Sequence, residues 1–169
     1  MGRRLELMRD PAVELPLPSD PMAYGYARVW HCKYETLAPL AQLRNLTVLH
    51  IATYPDDTFE PLVGLHGLET LHVMHLPSVR NLAGLAALSN LRELHLATLP
   101  SWDSSGKVTT VKSLLPLTKL PKLERLELYG VVTPSRSADE LLGSESLKVV
   151  KLSKYASDSM DRIRLRYAA

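Results

Sequence analysis

LRNLTVLHI at residues 43–51 is followed by LHGLETLHV at 65–73, LSNLRELHL at 88–96 and LPKLERLEL at 120–128. In each stretch the apolar residues are spaced by three, three and two. They are Leu43, Leu46, Leu49 and Ile51; Leu65, Leu68, Leu71 and Val73; Leu88, Leu91, Leu94 and Leu96; and Leu120, Leu123, Leu126 and Leu128. A weaker copy runs Leu147, Val150, Leu152. Equivalent leucines are offset by 22 residues (Leu46 to Leu68), 23 (to Leu91), 32 (to Leu123) and 24 (to Leu147). A period in the twenties marks a solenoid. A unit that short cannot enclose its own apolar side chains, so successive units stack around a shared interior.

Two periods coexist inside each unit. The final residues alternate, as in Leu49-His50-Ile51 and Leu126-Glu127-Leu128, which is the pattern of a strand buried on one face. The preceding residues are apolar at every third position: Leu37, Leu40, Leu43; Leu62, Leu65, Leu68; Leu82, Leu85, Leu88; Leu114, Leu117, Leu120. That spacing suits a 3₁₀-like or extended segment crossing the outer side. Tyr54-Pro55, Leu76-Pro77 and Leu99-Pro100 share one offset after their strands. Proline has no amide hydrogen for a ladder, so it ends each strand at the same phase.

The motif L-x-x-L-x-x-L-x-L over residues 37–155 resembles the leucine-rich-repeat family, closest to the short repeats of internalins and phosphatase-regulator-like proteins. The resemblance implies an α/β solenoid: a right-handed superhelix, a horseshoe segment with short parallel concave strands and 3₁₀ or irregular convex segments. It also implies a non-enzymatic module that binds another protein, of adaptor or toxin-neutralising type. The family places Asn three residues after the last strand leucine, where its amide caps backbone groups. Here those positions hold Tyr54, Leu76, Leu99, Val131 and Tyr155, so the backbone groups there need water or neighbouring backbone as partners.

The 169 residues suit one domain. Residues 37–155 carry the repeats, 1–36 read as an N-terminal cap, and 156–169 as a C-terminal cap. A formal charge of +2 is too small to point to a polyanionic partner. Cys32 is the single cysteine, so no intrachain disulfide forms and nothing calls for an oxidising compartment. MGRRLELMRD lacks the apolar centre of a signal peptide, and Glu6 stands where a myristoylation signal has Ser or Thr. No stretch is apolar enough to span a membrane. A cytoplasmic protein, monomeric in isolation and without membrane contact, is the expectation.

The ends read less clearly. RRLELM at residues 3–8 is similar to ERLELY, so Leu5 and Leu7 can begin a degenerate repeat. Tyr26–Tyr34 is a candidate strand, with either Trp30 and Cys32 or Val29 and His31 facing inward. At the C-terminus, Ser157 or Asp158 is a candidate helix cap ahead of Met160 and Ile163, yet Ile163, Leu165 and Tyr167 also alternate as a strand does.

On stacked parallel strands, equivalent positions form columns ~4.8 Å apart. The residues between the strand leucines are His50, His72, His95, Glu127 and Lys151; those before them are Val48, Thr70, Glu93, Arg125 and Val149; those after are Ala52, Met74, Ala97, Tyr129 and Ser153. Three readings of the histidine column are open. It is a tolerated polar row, or part of a partner-binding surface with Thr70, Met74, Glu93, Arg125, Glu127, Tyr129 and Lys151, or a metal site using two histidines and Glu93, on which a hydrolase could be built. Tyr, Met and Arg favour the second reading. In-line exposed histidines without supporting partners disfavour the third. No cofactor or metal is expected. Stacked imidazoles should also resist simultaneous protonation.

The long third interval adds nine residues, within about 101–112. Insertions of this kind map to one face of a solenoid, often the binding face. Trp102 there is either packed back on the solenoid or an anchor for a partner. Ser105-Gly106-Lys107 fails as a phosphate loop, because Ser101 replaces the first Gly and Val108 the magnesium-binding hydroxyl. No nucleophile elbow, paired-cysteine or HExxH motif occurs, so an enzyme is not expected. Lys148, Lys151, Lys154, Arg162, Arg164 and Arg166 make the last third basic. The aromatic interleaving that nucleic-acid stacking needs is thin there, and nucleic acid is not the expected partner.

Overall fold

The computed structural model describes residues 2–168. Seven parallel strands form one sheet in chain order: β1 (Arg3–Met8), β2 (Tyr24–Trp30), β3 (Val48–Ala52), β4 (Thr70–Met74), β5 (Glu93–Ala97), β7 (Arg125–Tyr129) and β9 (Val149–Leu152). β6 (Thr109–Thr110) and β8 (Val131–Val132) make a separate parallel pair. Pairing between β2 and β7 has no bulge, with Leu49, Leu71, Leu94 and Leu126 in register. This is the α/β solenoid that the repeat implies.

The three-residue spacing has a direct cause. The N–H of Leu40 donates to Leu37 O, that of Leu43 to Leu40 O and that of Leu46 to Leu43 O, each at 2.9 Å. Leu82, Leu85, Leu88 and Leu91 repeat the chain of bonds. Each leucine thus accepts from the next in 3₁₀ register, and one stripe of side chains faces inward. The convex turns are 3₁₀ at Ala38–Gln42, Glu60–Leu62, Ala83–Ala87 and Asp139–Gly143, and a single α turn, α2, at Leu115–Thr118. The leucines of both stripes, from Leu37 to Leu128, merge into one buried core.

A feature absent from the sequence reading ends the strands. Two residues past the last inward strand side chain, φ is positive in six of seven coils: Arg9, His31, Thr53, His75, Gly130 and Lys154. A left-handed non-glycine residue costs roughly 1–2 kcal/mol. What offsets this is the extended ladder: Arg9 N–H donates to Trp30 O (2.8 Å), His31 to Ala52 O (3.0 Å), Thr53 to Met74 O (2.8 Å) and His75 to Ala97 O (2.7 Å). At Gly130 a Cβ would collide with the Thr98 hydroxyl, so only glycine fits. The kink turns the following residue back into the core. In β2, Val29 is therefore inward, His31 takes the kink and Cys32 is buried behind it. Neither of the two alternating registers expected for Tyr26–Tyr34 holds throughout, because the left-handed residue resets the phase.

At the Asn positions neighbouring backbone supplies some partners, as expected, with Tyr54 N–H donating to His75 O at 2.8 Å, and other side chains supply further ones. Cys32 Sγ donates to Leu7 O (3.4 Å), Tyr54 Oη to Thr58 O (2.7 Å) and Tyr155 Oη to Val131 O (2.9 Å), while Thr109 Oγ1 donates to Leu76 O (3.2 Å). Leu7 and Cys32 belong to coils that the repeat motif does not reach.

The C-terminal end is covered by α3 (Ser157–Arg166). The helix begins after Ala156, and neither Ser157 nor Asp158 makes the expected capping bond. Helix prevails over strand because Met160 and Ile163 pack on the core while Leu165 is 89% exposed. Ser159 Oγ donates to Asp139 (2.7 Å), Arg162 makes three bonds to the same carboxylate, and Tyr167 Oη donates to Leu141 O (2.6 Å).

Candidate functional site

The sheet turns one face inward to the leucine core and leaves the other open as a concave wall. Alternation decides which residues line it: inward Leu71 and Val73 are fully buried, and Thr70, His72 and Met74 between them are half-buried. Strand register aligns the wall in three columns. Tyr26, Val48, Thr70, Glu93 and Arg125 form one; Arg28, His50, His72, His95, Glu127 and Lys151 the next; Trp30, Ala52, Met74, Ala97 and Tyr129 the third. His50, Thr70, His72, Met74, Glu93, His95, Arg125, Glu127, Tyr129 and Lys151 are all half-buried on this wall.

The rings touch one another along it. His50 and His72 stack with parallel planes at 4.6 Å, and His72 and His95 follow at 5.3 Å. Tyr26 meets His50 edge-on at 5.5 Å, and Tyr129 lies 5.4 Å from His95. Arg4 sits 3.7 Å over the Tyr26 ring and Arg28 4.4 Å over Trp30, both in cation–π range. Tyr26–Tyr34 reads as a strand in the sequence, but Tyr26, Arg28 and Trp30 are not among the wall residues expected from it. β2 carries Ala27 and Val29 where the motif has leucine, so the repeat pattern passes over it; the alternation in YARVW was the available signal.

Carboxylates hold the imidazoles in place. His72 Nε2 lies 2.8 Å from Glu93 Oε1, and His95 Nδ1 lies 3.2 Å from Glu127 Oε2. Arg125 binds the other oxygen of Glu127 at 2.8 Å, with Lys151 at 4.0 Å. Burial depresses the pKa of His50, and the neighbouring His72 and Arg28 add to that effect. Burial likewise depresses His95, reinforced by His72 against the opposing pull of Glu127. Repulsion inside the stack is thus real but secondary to desolvation. Burial pushes the Glu127 carboxyl up, yet its bonds to Arg125 and the charges of His95, Arg125 and Lys151 hold it below the usual range. Burial, then Glu127, raises the Tyr129 phenol.

Trp102 lies on a short helix, α1 (Pro100–Ser105), which Gly106 ends at φ 77°. The indole packs edge-on against His75 at 5.0 Å and is half-buried, so it is folded back on the solenoid at the rim of the wall. Burial lowers the His75 pKa, with a smaller contribution from His31.

Among the described residues, no three His, Cys, Asp or Glu side chains are arranged to hold a metal ion. The basic C-terminal third is largely neutralised locally. Lys148 pairs with Glu124 (3.0 Å), Lys154 with Asp103 (3.1 Å), Arg162 with Asp139 (2.9 Å) and Arg164 with Asp161 (3.2 Å).

No family model matches the chain, and no curated protein matches it. Among solved structures it is similar to internalin C2 from Listeria monocytogenes, with a TM-score of 0.50 over 89% of this chain and 70% of that one, at 18% identity. This chain has the leucine-rich-repeat fold. In leucine-rich-repeat terms, β1 to β9 of the main sheet are the concave strands, and the 3₁₀ turns are the convex side. No helix among the described residues is long and apolar enough to cross a membrane.

Proposed function

We propose that this leucine-rich-repeat chain is a non-enzymatic protein-binding module whose partner, another protein, lies on the concave wall. One observation carries the reading: the unbroken row Tyr26, His50, His72, His95, Tyr129, each ring against the next and half-exposed. Rings fixed by stacking and by Glu93 and Glu127 lose little freedom on contact, so more of the contact energy remains for affinity. Arg125, Glu127, Lys151, Glu93 and Thr70 supply a polar surround, Met74 an adaptable apolar contact, and Trp102 the rim. An adaptor or toxin-neutralising role fits a small rigid wall of this kind, and that assignment rests on fold analogy. Residence in the cytoplasm accords with a single, buried cysteine.

Catalysis at the histidine column is disfavoured because its imidazoles and carboxylates engage one another on an open sheet, without a water-excluding pocket to sharpen their chemistry. The test is affinity capture with wild type and with a His72→Ala/Tyr129→Ala variant of matched circular dichroism. The wild type should retain a partner that the variant loses. Equal capture by both refutes the concave-wall reading, and stoichiometric zinc, nickel or copper in the purified protein refutes the non-metal one.

A further inference from the structure

Along most of the concave wall, cations and imidazoles find a carboxylate within the chain. His72 has Glu93 at 2.8 Å and His95 has Glu127 at 3.2 Å, each from the next strand. Arg125 and Lys151 share Glu127, and Arg4 has Glu6 at 3.1 Å. The pattern stops at His50 and Arg28, which are register neighbours on β3 and β2. On the far side of His50, β4 presents only Thr70 and His72. Glu6 stands opposite Arg28 on β1, but its carboxylate is turned to Arg4. Among the described residues Arg28 has neither an ion pair nor a side-chain hydrogen bond, and the His50 ring has no hydrogen bond.

Arg28 is half-buried, and its guanidinium lies 4.4 Å over the Trp30 ring. Stacking engages the face of the group and leaves its in-plane N–H donors free. A partly desolvated guanidinium without an acceptor is unfavourable, and a carboxylate relieves it with two parallel hydrogen bonds. His50, one strand away at ~4.8 Å, is placed to donate to the same anion. Burial, then His72 and Arg28, depress the His50 pKa, so its imidazole is neutral at pH 7 and a single positive charge faces a ligand here. One charge matches a carboxylate; a doubly charged phosphate would leave part of its charge unmatched.

We propose that Arg28, with His50 beside it, is a carboxylate-binding subsite, and that the protein partner on the wall places an aspartate or glutamate side chain there. The proposal rests on the reading that the partner lies on the concave wall and adds the chemistry of the segment that reaches this end of it. The partner's carboxylate extends the row that Glu93 and Glu127 supply to His72 and His95, providing from outside the anion that β4 lacks. The same geometry sets specificity. An amide in place of the carboxylate turns N–H donors toward a group that only donates, and a lysine brings like charge.

Random peptides displayed on phage, selected on the full chain and then synthesised, are the probes, and calorimetry measures their affinity. The selected peptides should share one Asp or Glu. Changing that residue to its amide, with the protein untouched, should weaken binding about tenfold or more. Arg28→Gln of unchanged circular dichroism should cost a similar factor, and both changes together little more than either alone. Arg28→Lys, which keeps the charge and loses the planar fork, should fall between wild type and Arg28→Gln. Arg28→Glu should prefer the peptide that carries Lys at the shared position. Peptides that lose affinity on His72→Ala/Tyr129→Ala yet bind Arg28→Gln as tightly as wild type overturn the subsite and leave the concave-wall reading standing. Peptides indifferent to both changes overturn the subsite and count against the wall as well.

Discussion

Removing one leucine from the middle of the stack should damage the whole solenoid. Leu71 is fully buried on β4, with Leu49 and Leu94 beside it on the adjacent strands. Leu71→Ala deletes three carbons, a transfer loss of about 2.4 kcal/mol at ~0.8 kcal/mol each. The rows on either side are themselves fixed by their neighbours and cannot collapse inward. A cavity contribution therefore brings the loss to about 3 kcal/mol, within the ~2–5 kcal/mol measured for buried Leu→Ala changes. With a urea m-value of about 2 kcal/mol/M, the unfolding midpoint should fall by about 1.5 M, followed by circular dichroism. Leu165→Ala, on an 89% exposed side chain of α3, should move it by less than about 0.3 M, since such surface changes stay within ~0.5 kcal/mol. Equal shifts for the two variants would refute a single interior shared by successive coils.

Other consequences are as specific. Tyr155→Phe removes the hydroxyl that satisfies Val131 O at 2.9 Å and should cost about 1–3 kcal/mol in the same urea assay, because a buried carbonyl is left without a partner. His50, His75 and His95 have folded-state pKa values held below their unfolded ones. The unfolded chain therefore takes up more protons, and stability should be full above about pH 6.5 and fall as pH drops below it. A thermal-melt series from pH 7.5 to 5.5 should show that decline, and it should flatten in a His50→Gln/His95→Gln variant; an unchanged slope contradicts the assignment. Glu127, held below its ordinary value, acts in a separate window: its contribution is present above about pH 4.5 and is lost on further acidification. Glu127→Gln should therefore lessen the acid sensitivity below pH 4.5 in the same melts.

The repeat was legible because leucine at fixed spacing serves both ladders: the alternating strand and the 3₁₀ stripe. From that spacing alone His50, His72 and His95 could be placed in one column, and Trp102 on an inserted segment. The left-handed row was not legible. Arg9, His31, Thr53, His75 and Lys154 are not residues that announce positive φ, and the conformation is imposed by the neighbouring strand's carbonyls. β2 was only partly legible, because Ala27 and Val29 fill the inward positions that leucine takes elsewhere. The turn partners were obscured by chemistry. Cysteine and tyrosine supply some of the hydrogen bonds for which the motif uses asparagine, and Tyr155 reaches back across a coil to do so. Tyr26 and Trp30, at one end of the wall, were hidden by the same break in the pattern.

Proton NMR on the imidazoles tests the central claim most directly. If the coils stack in register, ring protons of His50 and His72, with centroids 4.6 Å apart and planes parallel, should give an observable nuclear Overhauser effect. His72 and His95 should give a weaker one at 5.3 Å, and His50 and His95, two strands apart, none. A direct His50–His95 effect, or no effect between His50 and His72 in the folded protein, would contradict an aligned concave wall.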